Sequence, residues 1–226
     1  MQRKRLQNFK VRKERFQKLR RFAGAQRCHL VLRTGGTAAL VYGQANTGVS
    51  SSCLLAQRRA VAAASVTGGS GDLDLTLILA DGSFRGRADP AFAAHEEPIG
   101  LWAEAVWSSW LPRSALDRLA RHAIARLSAA ASPWSLVAGP AAAFVASAFR
   151  LGWVLENALS MSTDHGVQID LRRDPPAFVR DLVRASVWRW RWRNVEAKIP
   201  ALRASEGGQG AFFSQIFRLL QAKSSP

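Results

Sequence analysis

A chain of 226 residues that is 48% apolar can bury a sizeable core, which excludes a disordered tail or linker. Lys and Arg number 32 against 16 Asp and Glu, a net charge of +16 that points toward a polyanionic partner. Two cysteines (Cys28, Cys53) and four His residues exclude a disulfide framework and a zinc pattern, and no metal or other cofactor is expected.

Residues 3–22 read as a helix with Leu6, Phe9, Phe16 and Leu19 on one narrow stripe and cations around the rest. Arg33-Thr34-Gly35-Gly36 reads as a break. Thr37 to Tyr42 is a short apolar segment of either type. Ser50-Ser51-Ser52 offers caps for a helix to about Val66. Gly68-Gly69-Ser70-Gly71 is a joint, and the alternating Leu73, Leu75, Leu77 and Leu79 suggest a strand, with a buried helix as the alternative. Asp89-Pro90 starts a helix that runs to Trp110, bent near Pro98. Ser114 caps the next, to about Ala130, with a stripe of Leu116, Leu119, Ala120, Ala123 and Leu127. Pro140 opens a helix over Ala141–Leu151 that Gly152 ends. Trp153–Met161, Thr163-Asp164-His165-Gly166 and Val167–Leu171 read as strand, turn and strand. Pro175-Pro176 begins a long helix to Lys198, and a short helix near Phe212–Leu220 closes the chain. The fold class is therefore mostly α, a helical bundle with one β-hairpin, and two lobes divided near Gly68–Gly71.

The longest apolar stretch, Trp134 to Phe149, is broken by Gly139-Pro140 and is too short to span a bilayer. No leader with an apolar core follows the basic start. These features suit an intracellular protein, of nucleus or cytoplasm, without a membrane partner.

The charge is unevenly placed. Residues 1–33 carry twelve basic residues and one acid, residues 34–171 nine and eleven, and residues 172–226 eleven and four. A near-neutral body is thus flanked by two cationic ends. In the second of these, Trp188-Arg189-Trp190-Arg191-Trp192-Arg193 lies on the long helix. At about 100° per residue, Val179, Leu182, Val183, Val187 and Trp190 form the buried sector. Arg180, Arg184, Arg191 and Lys198 fall along its edge, with Trp188 and Trp192 beyond them. That arrangement predicts a nucleic-acid surface on which cations meet phosphates and indoles stack, without base reading. The alternative is that another element covers the tryptophans and the arginines are solvated. Lys10, Arg12, Lys13, Arg20 and Arg21 form the second candidate surface.

No catalytic set is complete. His95-Glu96-Glu97 lacks a second His one turn on, and the glycines at 68–71 lack a following Lys-Ser/Thr. No nucleophile elbow occurs. Asp72, Asp74, Asp170 and Asp174 read as turn and cap residues rather than converging metal ligands. The chain is not expected to be an enzyme or to take a small-molecule substrate.

The run Val31-Leu32-Arg33-Thr34-Gly35-Gly36-Thr37-Ala38-Ala39-Leu40-Val41-Tyr42-Gly43, continued through Ser50 to Ala64, resembles the segment just after the palm in LINE-type, non-LTR retrotransposon reverse transcriptases. Gly139-Pro140, Leu151-Gly152-Trp153, the turn at Asp164-His165-Gly166 and the Trp-Arg helix are similar to the same post-palm region, so the likeness spans about residues 10–220. The resemblance implies a basic helical arm at 1–33, a thumb-like helical segment at 34–67 and a helical connection domain at 68–226, together holding template and primer as RNA, DNA or a hybrid. The family's catalytic carboxylates would lie upstream, with the palm and fingers of the same polyprotein as a partner. Alternatives are a free-standing RNA- or DNA-binding protein, an interaction module that uses exposed tryptophans, and a decayed copy without function.

Overall fold

The computed structural model describes residues 2–65, 71–81 and 88–199. Among these the chain is mostly helical, with ten α-helices and one small antiparallel sheet. The basic start forms two helices, α1 (Gln2–Val11) and α2 (Lys13–Val31), separated at Arg12. Phe9 and Phe16 stack across that joint at 5.5 Å between ring centroids, and both are buried, as their place on the apolar stripe predicted.

Arg33-Thr34-Gly35-Gly36 is not a break. Leu32–Gly36 is a π-helical turn that carries the chain straight into α3 (Thr37–Val41). Gly36 is there for close packing: a Cβ on it would lie 3.0 Å from the tip of Phe16 and 3.3 Å from Phe9. A four-residue helix, α4 (Gln44–Thr47), and α5 (Ser51–Ser65) follow.

Leu73–Ala80 is a helix, not a strand: α6 spans Leu73–Asp81. The buried positions are Asp74, Leu77, Ile78 and Asp81, which have helical spacing. Two of the four are acids, so an apolar count misses the period and sees only alternating leucines. Asp72 accepts a hydrogen bond from the Leu75 amide at 2.9 Å and so caps the first turn. Residues 68–70 of the expected joint lie outside the described residues. Leu77, beyond the joint, is buried with Phe9, Phe16, Leu32, Leu40 and Val61 in the N-terminal cluster.

The central helix is α7 (Pro90–Trp107), which continues through Pro98. It packs against α10 (Pro176–Lys198), α9 (Pro140–Leu151), α4 and α5. The largest core lies between these helices and the sheet, with Ile99, Trp102, Phe144, Val145, Leu151, Met161, Val179 and Val183 at its centre. Trp102 and Phe144 stack nearly parallel, at 5.2 Å. Helix α8 (Arg113–Ser128) lies against α9 and buries Leu116, Ala120, Ala123 and Leu127, while Leu119 stays exposed. Gly152, at φ 81°, ends α9 in the left-handed conformation its position predicted.

The predicted hairpin is present but its first strand is folded in two. β2 (Ser160–Ser162) pairs with β3 (Gln168–Asp170) in the register Met161↔Ile169, closed by the turn at 163–167. The residues before it form β1 (Val154–Leu155), which doubles back to pair with β2. Asn157 makes the reversal: its Oδ1 accepts from the amides of Leu159 at 2.7 Å and Ser160 at 2.9 Å. The predicted helix near Phe212–Leu220 lies outside the described residues. Among the described residues no helix is long and apolar enough to cross a membrane.

Candidate nucleic-acid interface

The two predicted surfaces differ sharply in their surroundings. On α10 every cation but Arg180 is met by an acid from another element. Arg191 is fully buried: its Nη1 donates to Asp81 at 2.8 Å and its Nε lies 3.2 Å from Asp89. Arg58 of α5 is bound from the other side, with Nε and Nη2 on Asp89 at 2.9–3.1 Å and Nη2 on Asp74 at 2.6 Å. His29 of α2 touches Asp81 at 3.3 Å. Three carboxylates and two guanidiniums thus form a chain inside the protein, linking α2, α5, α6, α7 and α10. Burial pushes the Asp89 carboxyl up, but Arg58 and Arg191 outweigh it and hold it below the ordinary range. Burial likewise works against the charge on Arg58, and Asp89 and Asp74 overcome it and raise its pKa.

The remaining α10 candidates are engaged too. Arg184 pairs with Glu96 of α7, and with Asp181. Lys198 pairs with Asp72 at 2.6 Å and sits 3.7 Å from Asp74. Arg180 lays its guanidinium over Gly100, where any Cβ would overlap it. Trp192 is buried with Ile78 and Val195, and Trp188 packs against the same cluster and against the main core. Of the tryptophans in the motif, Trp190 stands over Arg58 at 5.1 Å and near His95 at 5.8 Å. The neighbouring Arg189 and Arg193 both reach Asp164, at 2.6 and 3.4 Å.

The expected exposure of Arg191 and Trp192 is therefore corrected. The physical reason is α6. Read as a strand, it offers no cover; as a helix it lies over the second half of α10 and supplies Asp74 and Asp81. The face that looked free is the one that packs. Position 191 continues the i+4 row of Val179, Val183 and Val187, and a buried Arg at that point needs the carboxylates it receives.

The N-terminal surface is different. Lys10, Arg12, Lys13 and Arg21 are exposed, as are Arg3, Lys4, Arg15, Lys18, Arg27 and Arg33. Arg20 is half-buried and its guanidinium donates to the Ser65 carbonyl. Glu14 is the one acid of α1 and α2, and among the described residues none of the ten exposed cations has an ion-pair partner. They stay outside because Leu6, Phe9, Phe16 and Leu19 take the inner stripe and leave the rest of the circumference to Lys and Arg.

His95, fully buried, gives its Nδ1 to the Ala91 carbonyl at 2.6 Å, and burial with nearby Arg150 lowers its pKa to about 3. It is held as a neutral packing residue. The predicted cap and turn roles hold for Asp72, Asp170 and Asp174: Asp174 accepts from the Asp170 amide at 2.8 Å, and Asp170 from that of Arg172 at 3.0 Å. Asp74 departs from them, as a buried ion-pair partner. Among the described residues no group of three or more His, Cys, Asp or Glu could hold a metal ion. A shallow cleft of about 390 Å³ lies between α8 and the sheet, rimmed by Arg121 and Arg172, each paired with its own acid.

The pairing of α10 with acids 88–126 residues away in sequence has no local signature, so periodicity cannot find it. Comparison with known proteins finds no match to any family, curated protein or solved structure.

Proposed function

We propose that this chain binds nucleic acid, inside the cell, through the exposed cations of α1 and α2. The observation that carries the reading is the contrast between the two cationic ends: every α10 cation but Arg180 is paired with an acid within the fold, whereas among the described residues the exposed cations of α1 and α2 have no ion-pair partner. Eight exposed Lys and Arg on α1 and α2, with Arg12 between them and Arg33 just beyond, form beside a single Glu the footprint of a phosphate backbone. The mode is phosphate contact, which orients a duplex or strand without reading its bases.

The test is the salt dependence of binding to a duplex. Replacing Lys10, Arg12, Lys13 and Arg21 together with Ala flattens the log–log slope by about 2–4 units, at roughly 0.9 per phosphate released. The double variant Arg184→Ala/Lys198→Ala leaves the slope unchanged, because those cations already have partners. A slope indifferent to the α1–α2 substitutions removes this surface from the reading.

The role as the post-palm part of a retroelement reverse transcriptase rests on the sequence resemblance alone. Its test is the transcript upstream of Met1: a continuous frame encoding an apolar strand and an Asp-Asp turn supports it, and a stop codon there leaves a free-standing binding protein.

A further inference from the structure

The aromatic faces expected on α10 are found elsewhere. Of the eight tryptophans, six are buried or half-buried, while Trp107 and Trp110 are 46% and 56% exposed. Among the described residues, neither indole meets another ring or a cation. They sit at the corner between α7 and α8, with Leu111, also 46% exposed, beside them. Single exposed apolar residues are ordinary, but three large ones within five positions are a patch.

The corner is firmly built. The Ser108 amide donates to the Glu104 carbonyl at 2.9 Å, that of Ser109 to Val106 at 3.2 Å, and that of Trp110 to Ala105 at 3.0 Å. Ser109 takes φ 52°, a left-handed turn rare for a residue with a side chain. Trp107 is thus the last residue of α7, and Trp110, just beyond it, is tied back to that helix by its amide. Pro112 then stands at the N-cap of α8.

Cations follow at once. Arg113 and Arg118 are exposed and, among the described residues, have no ion-pair partner. With about 100° per residue, Arg118, Arg121, His122 and Arg126 spread over an arc of about 140° opposite the buried stripe. From Trp107 to Ser128 the chain holds four Arg and one Asp, and that Asp117 is taken by Arg121 at 2.8 Å. Glu104, the nearest acid of α7, accepts from the Ser108 hydroxyl at 3.3 Å. Helix α8 packs mainly on α9, whereas α1 and α2 pack on α3 and α5, so the two candidate surfaces are built on different helices.

We propose that the α7–α8 corner is a binding site for single-stranded nucleic acid, in which Trp107 and Trp110 stack on unpaired bases and Arg113 and Arg118 hold the adjoining phosphates. A duplex keeps its bases stacked on one another, so exposed indole faces are of use only to bases that are free. The flanking guanidiniums select a polyanion over an apolar protein surface. The inference rests on the reading that the chain binds nucleic acid, and it names a strand type and a second surface.

The experiment measures anisotropy of a labelled oligodeoxythymidine and of a labelled duplex with the full chain. In Trp107→Ala/Trp110→Ala, affinity for the single strand falls about tenfold or more while duplex affinity stays within about twofold. Trp107→Phe/Trp110→Phe retains most of the single-strand binding, since a phenyl ring still stacks. Arg113→Ala/Arg118→Ala lowers the single-strand salt slope by about 1–1.5 units, at roughly 0.7 per phosphate. The proposal is overturned if the wild-type chain does not bind the single strand, or if the Ala pair loses nothing or loses both ligands equally. Salt-insensitive self-association that the Ala pair abolishes also overturns it and makes the corner a protein contact. Failure of the α1–α2 reading is a distinct result: duplex binding whose slope ignores Lys10, Arg12, Lys13 and Arg21.

Discussion

Asp89 serves three partners at once. Its carboxylate accepts from the Ala91 amide at 2.9 Å to cap α7, holds Arg58 with both oxygens, and lies beside Arg191. The Asp-Pro pair made the cap legible in the sequence, but nothing local announces the two guanidiniums. Removing one partner of a buried ion pair leaves a desolvated charge behind, which costs more than the pair contributed. Asp89→Ala therefore destabilises the fold by at least about 3 kcal/mol, read as a shift in the urea midpoint. Asp117→Ala, which frees an exposed i,i+4 arginine, stays within about 0.5 kcal/mol. Equal effects would mean that the buried chain of charges adds no more than a surface pair.

At the scale of elements, the punctuation residues were the readable part. Pro90, Pro140 and Pro176 each open a helix where the sequence placed one, and Gly152 closes α9. What misled was burial of charge. Helix α6 hides its period because Asp74 and Asp81 occupy inward positions, and with α6 read as a strand the covered side of α10 looks open. The hairpin was legible in its turn at 163–167 but not in the fold-back at Asn157, whose side chain competes for backbone amides in a way that alternation does not record. Glycines divide in the same manner. Gly48 ends α4 at φ 58°, and a Cβ there would stand 2.9 Å from the Trp134 ring. Gly35, in the π-helical turn, has open space around it. Gly48→Ala should cost about 1–3 kcal/mol of stability, whereas Gly35→Ala should add about 0.5 kcal/mol, both by thermal or urea unfolding.

For the molecule as a whole, two neighbouring residues of α7 set opposing pH dependences. His95 stays neutral in the fold down to about pH 3, while the unfolded chain protonates it near 6.5. Between those values the unfolded state binds more protons, so this residue's contribution to stability is lost as pH falls from 6.5. Glu97 works the other way: burial, with Glu96 beside it, pushes its carboxyl from 4.5 up to about 7, so the fold weakens as pH rises across that range. Relative to wild type, His95→Gln should show a stability curve tilted downward with rising pH between about 4 and 6, and Glu97→Gln one tilted upward between about 5 and 7. Urea titrations at a series of pH values measure both; parallel curves for all three proteins would contradict the assignment.

The long reach of the buried charges also dictates an order of events during synthesis. Arg191 lies 110 residues after Asp81, and Lys198 lies 126 after Asp72. A growing chain exposes its acids, and the cationic α1 and α2, well before the helix that neutralises those acids has left the ribosome. Until α10 is made, Asp74, Asp81 and Asp89 have Arg58 and His29 to share and no more, and the central helix has lost its main neighbour. Closure of this fold therefore waits on the synthesis of α10, whatever the chain does before it.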